Sequence, residues 1–197
     1  MSQNTTASAQ PAGQARTVAA VDRGTLDIKA LILLAILLAA GFILNMFVGK
    51  AIGGPTGGMI QPEFIISAFC LTILAVRPNL GQALVIGLIS AAVIQLTTSS
   101  PFIDFAAEGV AAMVMAAIVN ATAGKDSAKY VPVAGTFVTT ALSGVIFMVI
   151  KMVLSGAGAV MPLLTGMLPV VLLTAVFNAI LVGALYVPVK KVLKLND

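Results

Sequence analysis

Histidine is absent from the 197 residues, and cysteine occurs once. Without imidazole there is no Ser–His nucleophile pair, no imidazole-ligated haem and no histidine-bearing zinc site. Cys70 lies alone within an apolar run and supports neither a disulfide framework nor a metal cluster. Charge is scarce too: 9% of the residues are charged, against about a quarter in an ordinary soluble domain. Hydrophobic residues make up 59% and the mean hydropathy is +1.09. So much apolar surface exceeds what one core can bury, and the expected solvent for most of the chain is a bilayer. No polar stretch is long enough for an enzyme head or a nucleotide-binding unit. The expectation is an all-α integral membrane protein without cofactor or metal, and not an enzyme.

The 11 basic and 7 acidic residues give a formal charge of +4. The bases are scattered between apolar runs and form no basic face, which argues against nucleic acid as a partner. Residues 1–27 are polar, lack the apolar core of a signal peptide, and read as a disordered cytoplasmic tail. Residues 195–197 are expected to form a short C-terminal tail, leaving 28–194 as the expected transmembrane domain.

A crossing helix needs roughly 20 mostly apolar residues. Six segments approach that length: 28–48, 59–76, 80–96, 102–121, 131–154 and 163–187. The second and third are short, which fits tilted, interrupted or re-entrant passage. Lys and Arg in short loops orient such a bundle. With the N-terminus inside, the cytoplasmic side receives Arg16, Arg23, Lys29, Arg77, Lys125, Lys129, Lys190, Lys191 and Lys194, and the other side only Lys50 and Lys151. Both termini are therefore expected inside a bacterial cell membrane. The Gly-, Pro- and Ser-rich loops GGPTGGMIQPEF (53–64), TTSSPF (97–102) and SGAGAVMP (155–162) then face outward.

Acids in such a chain are the residues most in need of explanation. Pro62 suits the first turn of the second helix, with Glu63 beside it near the positive end of the helix dipole. Glu63 either complements that dipole or, with exposed amides of the Gly-rich loop, lines an outward pocket. Asp104 and Glu108, spaced i, i+4, project from one face of the fourth helix. Like charges on one face are costly against lipid, so at least one should face the bundle interior or water. Asp104 alternatively serves only to charge the helix start. Gln95 and Asn178 are amides in apolar helices, where bonding between helices is the common role. Lys151 and Lys50 either snorkel to the interface or meet a ligand carboxylate. Ala35 and Ala39 make a small-xxx-small pair on the first helix that permits close helix approach. ATAGKDS (121–127) lacks the upstream Gly and the Ser/Thr after Lys of a P-loop, and reads as a turn.

Four stretches together resemble the bacterial tryptophan transporter family, which is similar to the substrate-capture (S) components of energy-coupling factor transporters. They are GGMIQPEF before the second helix, ALVIGLISAAVIQLTTSSPF, VAGTFVTTALSGVIF, and LPVVLLTAVFNAILVGALYVPV with Pro169, Asn178 and Tyr186–Pro188. The likeness covers roughly residues 28–194. It implies a six-helix capture protein with its ligand site in the outer half. It also implies that the Ala35–Ala39 face docks a membrane coupling subunit associated with ATPase subunits. Glu63 falls on the family's acid after Pro62, Asp104 near an acid after the Thr-Thr-Pro turn, and Asn178 on the amide of the last helix. Where a Lys is expected between Met and Pro, this chain has Ile60 and Gln61. The ligand carboxylate then falls to Lys50, Lys151 or loop amides.

The expected function is capture of tryptophan or a related small aromatic metabolite or vitamin for uptake. Glu63 with Asp104 or Glu108 would meet the ammonium group, Gln61 and Asn178 would add polar contacts, and Phe64, Phe102 and Phe105 would form aromatic walls. The alternative is a stand-alone proton- or ion-coupled carrier that uses Asp104 and Glu108 as its coupling site.

Overall fold

The computed structural model describes residues 27–98 and 100–193. The expected tails at both ends, with Arg16, Arg23 and Lys194, lie outside these residues, Asp27 excepted. Among the described residues the chain is all helical, with no strand. α1 (Ile28–Leu44) runs on through a π-helical turn, Asn45–Gly49, into a final turn, Lys50–Gly53. α2 (Phe64–Val76), α3 (Leu80–Ile94) and α4 (Ile103–Thr122) follow. α5 (Val131–Ser155) is entered through a 3-10 turn, Asp126–Tyr130, and α6 (Val160–Val192) through another, Ala157–Ala159.

Close packing between neighbours fixes their register. A methyl group added at Gly87 of α3 would stand 2.5 Å from the Glu108 carbonyl oxygen of α4, and one at Gly144 of α5 would stand 2.7 Å from the Val171 methyls of α6. These glycines let the backbones approach as small residues do between membrane helices. Thr139 reaches Met115 and Ser143 reaches Glu108, which sets α5 antiparallel to α4. At the far end of α4, Asn120 Nδ2 donates to the Pro78 carbonyl at 2.9 Å and ties α4 to the α2–α3 turn. That turn closes with Arg77 in the left-handed region, followed by an Asn79–Gln82 capping box that starts α3.

Ile28–Gly53, Ile103–Thr122, Asp126–Ser155 and Ala157–Val192 are long and apolar enough to cross a membrane. α2 and α3 have only 13 and 15 residues. At about 1.5 Å rise per residue each falls well short of a hydrocarbon core of about 30 Å. The expected segments 59–76 and 80–96 are shorter as helices because Ile60–Glu63 is unwound and Gln95–Thr97 is a turn. Conversely, much of the expected loop 155–162 is helical, and α6 begins at Val160.

α2 is the axis of the bundle. Every residue from Phe64 to Leu74 is buried, and the helix touches all five others. Leu34 and Leu38 of α1 and Met115 of α4 share one buried cluster with Phe69, Cys70 and Ile73 of α2. The outer surface is apolar instead, with Phe47 73% and Val153 75% exposed. Apolar surface of this extent is the character of membrane helices. Ala35 and Ala39 are exposed on α1, about 100° round the helix from the buried Leu34 and Leu38. Lys29, Arg77, Lys125, Lys129, Lys190 and Lys191 gather at one end of the bundle, and Lys50 and Lys151 at the other.

Replacing Gly87 by Leu should lower the melting temperature of the detergent-solubilised protein by several degrees, because overpacking of a tight contact costs about 1–3 kcal/mol. Gly166→Ala, where an added methyl meets nothing within 4 Å, should leave it unchanged or raise it slightly.

Candidate functional site

The approach to α2 differs from the sequence expectation in an instructive way. Pro62 and Glu63 are not in the first helical turn. Glu63 holds the N-cap position with φ −102° and ψ 81°, and its side chain makes no cap bond. Pro62 favours extended backbone at Gln61, and the chain stays unwound from Ile60 to Glu63. Side chains from α1 and α6 bond three backbone groups here. Asn45 Oδ1 accepts from the Phe64 N–H at 2.9 Å, while its Nδ2 donates to Glu63 Oε2 at 3.2 Å. Thr174 Oγ1 donates to the Gln61 carbonyl at 2.8 Å, and Asn178 Nδ2 to the Glu63 carbonyl at 3.2 Å. Asn45 sits in the π-helical turn of α1, the kind of irregular turn that recurs at functional sites.

The Gly-rich loop before this segment is occupied with itself. The amides of Gly54, Gly57, Gly58 and Met59 donate to loop or helix-end carbonyls, and that of Ile60 to Thr56 Oγ1. Gly57 and Gly58 have positive φ, which suits glycine at such a tight turn. These five amides are therefore not open to an anion, although Gly53, Gly54, Gly57 and Gly58 do line a cavity.

Glu63, Asp104 and Glu108 line one cavity of about 540 Å³, together with Gln61 and Lys151. Its wall is built from the end of α1, the unwound segment, the α3–α4 turn, the start of α4, the end of α5 and the start of α6. Asp104 and Glu108 are 6% and 3% exposed. Each acid is held by an uncharged donor: Glu63 by Asn45, Asp104 Oδ2 by Gln95 Nε2 at 3.1 Å, and Glu108 Oε1 by the Ser143 hydroxyl at 2.8 Å. Glu108 Oε2 is buried with no partner. Lys151 Nζ donates to Ser100 Oγ at 3.2 Å and lies 5.6 Å from the centre of the Phe147 ring. A second cavity of about 520 Å³ adjoins the first across Asn45, Gln61, Glu63 and Thr97, and Lys50 lines it beside the glycines.

Gln95 organises the α3–α4 turn. Besides holding Asp104, its Oε1 accepts from the Phe102 N–H at 2.9 Å. Phe102 has φ 70° and is 76% exposed, a left-handed conformation uncommon for a non-glycine residue. That geometry turns the ring outward and starts α4 with Asp104 facing the cavity.

None of the three expected aromatic walls lines the cavity. Phe102 points out, Phe105 lies about 100° round α4 from Asp104, and Phe64 is buried edge-on against Phe177 with ring centres 5.9 Å apart. The aromatic lining residue is Phe147. Asn178 also stands behind the wall and holds the Glu63 backbone. Sequence reading missed Asn45, Thr98, Thr140, Ser143, Phe147 and Thr174 as site residues. The α5 set was detectable, since Thr136, Thr140, Ser143 and Phe147 recur at three- and four-residue spacing on one face.

Asn45→Ala removes both the bond to Phe64 and the donor to Glu63. It should destabilise the protein by about 1–2 kcal/mol, the range for lost helix caps, read as a melting shift in detergent. Asn45→Asp keeps the acceptor for Phe64 but sets a second carboxylate against Glu63 Oε2, and should recover none of the loss at neutral pH. No protein-family model, curated protein or solved structure matches the chain.

Proposed function

We propose that the chain is a membrane-embedded substrate-capture protein that binds a small amine-bearing metabolite from outside the cell for uptake. The observation that carries this reading is the convergence of Glu63, Asp104, Glu108 and Lys151 on one cavity of about 540 Å³. That volume falls within the range for small-molecule sites, roughly 300–1,000 Å³. Acids in a membrane protein belong where they face water or a partner, and backbone is tolerated unwound in a membrane where it borders such a hollow.

In this reading all six helices pack as one bundle in a bacterial cell membrane. The short α2 and α3 are completed by the unwound segment and by the TTSSPF turn, and the basic end with both termini lies inside. The acids take the ligand's ammonium group and Lys151 takes a carboxylate where there is one. Leu163, Met167, Val170 and Phe147 surround the body of the ligand. Tryptophan, or a related aromatic metabolite or vitamin, is the ligand that the family resemblance suggests. Binding, not catalysis, is the chain's part. Energy would come from a coupling subunit with ATPase partners, docked on the exposed Ala35–Ala39 side of α1.

A second reading rests on Glu108, whose Oε2 is buried and unpartnered. Such a carboxyl suits a proton or ion that couples uptake in a carrier working alone. Uptake by the purified chain in liposomes, without any ATPase and abolished by collapsing a proton gradient, would select this reading over capture.

A thermal-shift screen of the solubilised protein against amino acids and vitamins should reveal ligand-specific stabilisation, about 2.7 kcal/mol at a hundredfold excess over Kd. For the ligand so found, Glu63→Ala and Asp104→Ala should each weaken calorimetric affinity at least tenfold. Unchanged affinity in both variants would remove the site assignment.

A further inference from the structure

The charge balance of the cavity narrows the ligand class, and this step rests on the capture reading above. Acids outnumber cations on the lining, and all three acids are anchored by neutral groups, Asn45, Gln95 and Ser143. Among the described residues no Lys or Arg forms an ion pair with Glu63, Asp104 or Glu108. Lys151 is engaged by Ser100 and the face of Phe147 instead. The described residues thus fix the acids in place without pairing them to a cation.

Glu108 gives the independent sign that something else supplies it. The residue is 3% exposed, lines the cavity, and keeps Oε2 without a donor. Buried polar atoms are almost always partnered, and a buried carboxylate is stable only when paired and hydrogen-bonded. A bound ammonium group provides both a charge and N–H donors. Asp104, one turn before Glu108 on the same face, lies about 6 Å along the helix, so a second ammonium group a few bonds away would also be met. A carboxylate on the ligand has the opposite effect. It adds to an existing surplus of negative charge, against which the described lining of this cavity sets one cation, Lys151.

We propose that the cavity selects small organic cations, amines that carry no carboxylate, over the zwitterionic amino acids of the same side chain. Diamines match it most fully, with one ammonium group at Glu108 and the other towards Asp104 or Glu63.

The test is calorimetry on the solubilised full chain with matched pairs: tryptamine against tryptophan, and cadaverine against lysine. Sodium chloride alone serves as the inorganic arm. Each amine should bind at least tenfold more tightly than its amino acid. Glu108→Gln should weaken amine binding at least tenfold and narrow the gap within each pair. Asp104→Asn is a second variant with the same expected direction, in case the first does not fold. Amino acids that bind as well as or better than their amines overturn cation selection and leave capture standing. Sodium that binds and excludes the amines also overturns it, in favour of an inorganic ion. If no amine binds and the wider screen finds no ligand, the capture reading itself fails.

Discussion

The site depends on four unwound residues held open by side chains from elsewhere in the chain. Ile60–Glu63 could not stay extended in the middle of an apolar bundle if its backbone groups had no partners, because such groups cost free energy unless bonded. Thr174 and Asn178 partner its Gln61 and Glu63 carbonyls from one helix, and Asn45 from another binds the Phe64 N–H that follows. The same bonds that stabilise the irregular backbone also set the direction of Glu63. Fold and site are therefore not separable here: removing the polar residues that support the segment removes the geometry of the acid.

The short length of α2 follows from the same arrangement. A helix of 13 residues cannot face lipid across its whole depth, but it does not need to, since five other helices enclose it. Its upper end is free to open into a hollow while its lower end packs on Leu34, Met115 and their neighbours. The long helices α5 and α6 perform the complementary task. Their mutual contact is the most extensive in the bundle, and each turns a line of small and polar residues inward and large aliphatic ones outward. The polar interior and the apolar exterior are thus two faces of the same helices.

Much of this was legible in the residues themselves. The scarcity of charge and the apolar runs identified helices of membrane character, and the i, i+4 spacing put Asp104 and Glu108 on one face. Sequence did not reveal that Pro62 would delay the helix, because the deciding partners, Asn45 and Asn178, lie 19 and 115 residues away from the groups they bind. The expected aromatic residues stand off the cavity for a local reason. Proximity to the acids in sequence suggested Phe102 and Phe105, yet the left-handed backbone at Phe102 and the angular step at Phe105 turn both rings aside. Phe147 lines the cavity because it shares a helix face with Ser143 and Lys151, a relation that periodicity carries and adjacency does not.

Cys70 gives the enclosed axis a practical consequence. Its thiol is fully shielded within α2, and thiol reagents attack exposed thiolates. The native chain is thus silent towards maleimide probes while folded, so a single thiol placed on the Gly-rich loop or the α3–α4 turn would carry the whole labelling signal. The wild-type sulfur, in turn, becomes reactive only when the central helix is laid bare, and so reports opening of the bundle without any engineered change.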